Sequence, residues 1–305
     1  MDEILKLSKL TKHYGRIKAV NQLDLTILRG MVYGILGPNG SGKTTTLGMV
    51  LDVINKTSGS YEWFGEPGSK ESRKKVGAIL ETPVFYPYLS GYRNLEIIVE
   101  IKEAPKENIP KVLKQVGLWD RKDDNFRTYS LGMKQRLSIA ASLVNDPIVM
   151  ILDEPTNGLD PQGIADIRQL ILDIAQSGKT IILASHLLDE VQKVCSHFCI
   201  LQKGKLLYEG KVEDVSKKTM AIEVIADNSE LQTTLESWES VETLKKEKEK
   251  LIITMQNGIG SEEVNKYLFE KGIVASHLVT QKKSLEKQFL EILKESDNKN
   301  QNSKK

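Results

Sequence analysis

Residues 37–45, GPNGSGKTT, fit the pattern G-x-x-x-x-G-K-[ST], with Gly37, Gly42, Lys43 and Thr44 in its fixed positions. Each residue type has a task in phosphate chemistry. Glycines let backbone N–H groups close around a polyphosphate, because no side chain stands in the way. Lys43 offers a point charge to the β- and γ-phosphates. The Thr44 hydroxyl can hold Mg²⁺. Pro38, Asn39, Gly40 and Ser41 complete the loop and Thr45 follows it, all within reach of the same phosphates. A second run, IVMILDE at 148–154, ends in two carboxylates. Asp153 follows five apolar residues, so it stands at the end of a buried strand, where it can share a Mg²⁺ with Thr44. Glu154 can then orient an attacking water and take its proton. An acidic pair after a strand can also cap a helix. The phosphate loop upstream favours the catalytic reading.

These groups need a frame. A short apolar run at 31–36 precedes the loop, and 43–52 has the pattern of a helix, whose positive end would face a bound anion. Apolar runs at 148–152 and 180–184 flank a helical pattern at 163–176. Uninterrupted runs of this length suit a parallel sheet covered on both faces. Strand–helix–strand alternation predicts an α/β core that binds its ligand beyond the carboxyl ends of the strands. Alternation in the first 30 residues, and the aromatics Tyr61, Trp63 and Phe64, predict further strands. Residues from about 87 to 145 read as mostly helical, broken at Pro105, Pro110 and Gly117.

The pattern changes near residue 215. Strand 221–225, helix 229–238, two strands within 241–255, helix 261–271, strand 273–279 and helix 284–293 give the order βαββαβ plus a helix, a ferredoxin-like module. The expected domains are 1–215 and 216–295, with a polar, disordered tail at 296–305. The charged run 245–250 reads as a solvated turn.

The bulk numbers narrow the function. With 305 residues, 40% hydrophobic and 28% charged, the composition is that of an ordinary globular protein. A net charge of +2 gives no electrostatic reason to expect a nucleic-acid partner. No apolar run approaches the roughly 20 residues that span a bilayer, and no signal peptide is evident. Cys195 and Cys199, with His197 between them, read as core residues rather than a metal site, because the close C-x₂-C pairing of zinc sites is missing. Sparse cysteine points to the cytosol.

Together these motifs resemble the nucleotide-binding subunit of an ATP-binding cassette (ABC) transporter, and within that superfamily the bacterial exporters of the bacitracin and lantibiotic kind. The resemblance is strong over residues 1 to about 215 and looser beyond. It implies a P-loop ATPase core with an antiparallel β subdomain and a helical subdomain, with ATP and Mg²⁺ as cofactors. It implies a dimer, of identical chains or paralogues, that works with a separately encoded membrane permease on the inner face of the cell membrane. Tyr14, in TKHYG, matches the aromatic that stacks on adenine, although a tyrosine at a strand end can be structural. YSLGMKQR at 129–136 matches the family signature. Ser130 and the Gly132 N–H would contact the γ-phosphate of ATP held by the other subunit. Asp160 matches a loop acid that communicates across the dimer, and His186 the switch histidine on the γ-phosphate.

Two departures from the family pattern stand out. The signature has Leu131 and Met133 where glycine and glutamine are usual, so the contribution of the Met133 side chain is in question. Glu81 stands where glutamine is usual, and would bring a formal charge to the Mg²⁺ site. The aromatic stretch 83–88 matches the region that receives the permease, and some of these rings could instead pack inward. Two rival readings are a non-transport cassette ATPase acting on ribosomes or DNA, and a regulatory subunit whose C-terminal module senses a ligand.

Overall fold

A computed structural model describes residues 2–80, 84–217, 220–247, 250–256 and 259–282. Glu81, the helix expected at 284–293 and the tail from residue 296 lie outside the described residues. Along the chain the elements run β1 (Glu3–Tyr14), β2 (Ile17–Leu28), β3 (Val32–Leu36), α1 (Lys43–Val50), β4 (Ser58–Trp63), β5 (Glu66–Pro67), α2 (Lys70–Lys74), β6 (Val76–Ile79), α3 (Gly91–Lys102), α4 (Asn108–Gln115) and α5 (Leu131–Leu143). They continue with β7 (Val149–Asp153), α6 (Pro161–Gln176), β8 (Thr180–Ser185), α7 (Leu188–Val194), β9 (His197–Gln202), β10 (Lys205–Lys211) and α8 (Val212–Lys217). The last elements are β11 (Met220–Ile225), α9 (Leu231–Glu236), β12 (Val241–Glu247), β13 (Lys250–Met255), α10 (Ser261–Glu270) and β14 (His277–Lys282). The described residues divide into two compact units, with the boundary between Glu209 and Gly210.

The first unit is built on a six-stranded sheet in the order β10-β9-β3-β8-β7-β6. Strands β6, β7, β8, β3 and β9 pair in parallel. Every residue of β3, β7 and β8 is buried, which is why their sequences are continuous apolar runs rather than alternating ones. A second sheet, β2-β1-β4-β5, is antiparallel, and its buried face joins the same core. Trp63, fully buried in that core, donates its indole N–H to the Val50 carbonyl at 2.9 Å. This bond ties the second sheet to the end of α1. The helix ends at Val50, two residues short of the expected end at 52, because Asp52 adopts φ +56°.

The stretch expected to be helical between 87 and 145 holds α3, α4 and α5. Ser90 caps α3 by accepting from Arg93 N, and Ser130 caps α5 by accepting from Met133 N. Buried Asn94 fixes the chain that enters α3. Its Oδ1 accepts from Tyr86 N at 2.8 Å and its Nδ2 donates to the Tyr86 carbonyl at 3.1 Å. Val84, Tyr86 and Tyr88 are left exposed, while Phe85 packs on Phe126 with ring centroids 5.0 Å apart.

The second unit is an antiparallel sheet in the order β12-β13-β11-β14, with α9 and α10 supplying its apolar cover. Ile222 and Val224 on β11 face the same core as Leu235, Val264 and Leu268. This is the split βαβ arrangement. The last strand begins at His277, later than the apolar run from 273 suggests. The reason is a helix stop: Gly272 takes φ +75°, Gly272 N bonds the Phe269 carbonyl and Ile273 N bonds the Leu268 carbonyl. Ile273 is thus the apolar plug of a Schellman cap rather than a strand residue.

Candidate functional site

The register of the parallel sheet assembles the site. Leu36 pairs with Ser185, and Asp153 pairs with Ala184. Three adjacent strands therefore end level, and the residues that follow them, Gly37, Glu154 and His186, emerge side by side at their carboxyl ends. The loop 37–42 crosses this edge and feeds directly into α1, so Lys43 is the first residue of the helix.

The loop is held by backbone at both ends. Gly37 N bonds the Ser185 carbonyl at 3.3 Å, and Gly204 N bonds the Ser41 carbonyl at 2.9 Å. Gly40 and Gly42 adopt φ of +78° and +107°, which favours glycine. A Cβ on Gly37 would meet the Leu201 carbonyl oxygen at 2.4 Å, and one on Gly42 the Ala19 carbonyl oxygen at 2.5 Å. Pro38, Asn39 and Gly40 are exposed at the crest of the loop. Ser41 Oγ is buried and has no hydrogen-bond partner among the described residues. This cradle, opening a helix, fits a phosphate group. Thr45, on the first turn of α1, is half-buried.

The charged groups converge beneath it. Lys43 Nζ donates to the Gly37 carbonyl at 2.8 Å and lies 3.3 Å from Glu154 Oε1. Thr44 Oγ1 donates to Asp153 Oδ2 at 2.6 Å. A hydroxyl and a carboxylate oxygen in contact are the hard oxygen donors that suit Mg²⁺. Glu154 Oε2 lies 2.8 Å from His186 Nδ1 and accepts from His186 N at 3.3 Å. Glu154 reaches both neighbours because its backbone is left-handed, with φ +49°. Its own N–H bonds the Ala184 carbonyl, fixing that conformation to β8.

The remaining predicted residues stand in two other places. Ser130, Gly132, Met133 and Asp160 line one cleft of about 420 Å³, with Gly158, Leu159, Arg136 and Asp166. Asp160 caps α6 by accepting from Gly163 N at 2.8 Å. Tyr14 ends β1 with its ring about half exposed, and Lys12 Nζ sits 4.8 Å from the ring centroid. Cys195 and Cys199 are free, buried thiols, and burial pushes Cys199 up to about 12. Neither is a nucleophile at neutral pH.

Sequence reasoning missed several supports. Arg136 donates to Asp166 Oδ2 at 2.5 Å and to the Val116 carbonyl at 3.3 Å, bracing the middle of α5 against α6 and the end of α4. The Ser185 carbonyl and Gly204 N hold the loop, and the Ala184 carbonyl holds Glu154, through backbone atoms, which leave no mark in side-chain type. Only Gly204, in a QKGK turn, carries a local signal.

A glycine cradle at the carboxyl edge of a parallel sheet, closed by lysine, threonine and an acidic pair, defines a P-loop nucleoside triphosphatase. The ABC transporter family model matches residues 20–157. The bacitracin transport ATP-binding protein BcrA of Bacillus licheniformis is 37% identical over 301 residues, covering 96% of this chain and 98% of that one. The lantibiotic transport ATP-binding protein SrtF of Streptococcus pyogenes is 39% identical over 206 residues, 68% of this chain and 90% of its own. A solved dimeric ATP-binding cassette, in a post-hydrolysis state bound to ADP and Pi, superposes with a TM-score of 0.61 at 25% identity, over 68% of this chain and 99% of that one. The chain belongs to the ABC transporter ATP-binding proteins, and is an ABC ATPase.

Proposed function

We propose that this chain hydrolyses Mg²⁺-ATP as a dimer of cassettes and so drives export of an antibiotic, a peptide or a drug through a separately encoded membrane permease. The observation that carries the reading is the level ending of β3, β7 and β8, which gathers Lys43, Thr44, Asp153, Glu154 and His186. Lys43 and the loop N–H groups bind the β- and γ-phosphates of ATP. Thr44 and Asp153 hold Mg²⁺, which when bound neutralises charge on the transferring phosphate. Glu154 takes the proton of the attacking water, and His186 both orients Glu154 and contacts the γ-phosphate. Tyr14 stacks on adenine. Ser130, Gly132, Met133 and Asp160 complete the site of a second copy, since they line a cleft of their own.

The names of the two relatives support the cargo class, and the dimeric cassette supports the pairing. Among the described residues no helix is long and apolar enough to cross a membrane, so transport requires a membrane partner. The exposed Val84, Tyr86 and Tyr88 suit that contact at the inner face of the membrane. We assign residues 1–215 to the ATPase domain and 216–295 to an accessory domain.

The test is affinity purification of tagged Glu154→Gln protein from native membranes with ATP. A stoichiometric polytopic membrane protein is expected. Recovery of soluble complexes alone would overturn transport in favour of a non-transport cassette ATPase. The sequence also assigns Glu81 to the metal. Its replacement by glutamine is expected to raise the Mg²⁺ concentration needed for half-maximal hydrolysis, and an unchanged Mg²⁺ titration would remove Glu81 from the site.

A further inference from the structure

The catalytic reading uses His186 but leaves open what aims it. His186 lies between Ser185, the last residue of β8, and α7, which begins at Leu188. That helix has only seven residues, and its N-cap, Leu187, makes no side-chain capping bond. A helix this short does not hold itself in place. Leu187 N bonds Ser185 Oγ at 3.0 Å, Val191 and Val194 bury one face of the helix, and an ion pair fixes it sideways. Arg168 Nη2 donates to Glu190 Oε1 at 2.7 Å. The Glu190 side chain is 7% exposed and that of Arg168 22%, so this is an interior contact rather than a surface one. A buried carboxylate without its partner is costly, which makes the pairing obligatory.

Arg168 comes from α6, the helix capped by Asp160. On another face of α6, Asp166 receives Arg136 from α5, the helix capped by Ser130. One helix thus carries the Asp160 loop at its head, the signature helix on one side and the switch helix on the other. We propose that the Arg168–Glu190 ion pair is a positioning clamp that fixes α7 to α6 and thereby holds His186 on Glu154. Neither residue touches nucleotide in this assignment, which rests on the catalytic reading of Glu154 and His186 given above. The guanidinium makes this contact through Nη2, a directed N–H on a planar group, whereas lysine supplies a point charge on a flexible stem.

The test is a double-mutant cycle on the full-length chain, reading turnover per bound ATP, ATP affinity and melting temperature. Arg168→Met is expected to lower turnover about 10- to 100-fold, the range that misplacement of a catalytic group produces. ATP affinity should stay within about twofold, because ground-state contacts are not involved. Arg168→Lys should recover part of the loss. In a His186→Ala background, Arg168→Met should cost nothing further, since a residue acting through His186 has nothing left to act on. Equal fractional losses in both backgrounds would overturn the clamp. The pair Arg168→Met with Glu190→Met guards against a stability artefact, because apolar partners restore packing without restoring direction. If turnover returns with melting temperature in that variant, the role is structural and the proposal fails. If His186→Ala turns over like the parent chain, the catalytic assignment of His186 itself is wrong, an outcome distinct from failure of the clamp.

Discussion

Glu154 bears the clearest mark of function at the scale of one residue. A non-glycine residue at φ +49° costs on the order of 1–3 kcal/mol, and such strain persists where surrounding structure enforces it. Here the enforcement is the bond from Glu154 N to the Ala184 carbonyl, and the return is a carboxylate that meets Lys43 and His186 together. Glutamine keeps this shape and can still bond His186, but it accepts no proton. Glu154→Gln is therefore expected to bind ATP while its turnover falls about 10²- to 10⁴-fold, the span attributed to general base catalysis. ATP should then hold the dimer closed, since the contacts that join two copies are lost only on hydrolysis. Size-exclusion chromatography with ATP checks this. Normal turnover would remove Glu154 from the role of base.

Among the elements, α3 contains a cost that the catalytic machinery does not require. Lys102, in its last turn, lies between α3 and α5 and donates to the Ala141 carbonyl at 2.8 Å. Burial pushes its ammonium down from 10.5 to about 8. Below pH 8 the group is charged in both the folded and unfolded chain, and the full desolvation cost is present. Between pH 8 and 10.5 the unfolded chain binds more protons than the folded one, so stability rises with pH across this window. Lys102→Met should stabilise the protein by about 1–2 kcal/mol at pH 7, less than the full shift implies because a hydrogen bond is lost. The advantage should fade as pH approaches 10.5, and denaturant melts at several pH values read it directly. A gain independent of pH would mean that packing, not charge, was limiting. The elements also show what sequence carries and what it hides. Buried strands such as β7 and β8 declare themselves by continuous apolar runs, and the phosphate loop by fixed spacing, because both signals are local. Asn94 organising the chain before α3, Gly272 stopping α10 ahead of Ile273, and the Ser185 carbonyl holding Gly37 depend on backbone conformation or distant register. No window of residue types records these. The ion pairs of α6 are of the same kind, since Arg136–Asp166 and Arg168–Glu190 join residues 30 and 22 positions apart.

Across the whole molecule, one chain carries two unlike half-sites. Lys43, Thr44, Asp153 and Glu154 gather at the strand ends, while Ser130, Gly132, Met133 and Asp160 line a separate cleft. If both halves served a nucleotide within one chain, a chain damaged in either half would be inactive in every mixture. If the halves meet across a two-fold axis, each site takes one half from each copy, and damage can be complemented. Ser130→Arg leaves the Lys43 half intact and blocks the other, and Lys43→Ala does the reverse. Each variant alone forms dimers with both sites broken. Mixed in equal amounts, half of the dimers combine the two variants, and each such dimer contains one intact site and one doubly broken site. ATPase activity of the mixture is then expected at about a quarter of the parent value, the figure that random two-fold pairing gives. Activity no higher than that of the separate variants would mean that the halves do not combine between chains. It would send Ser130 and Asp160 back to a structural role as helix caps, which their bonds to Met133 N and Gly163 N already perform within one chain.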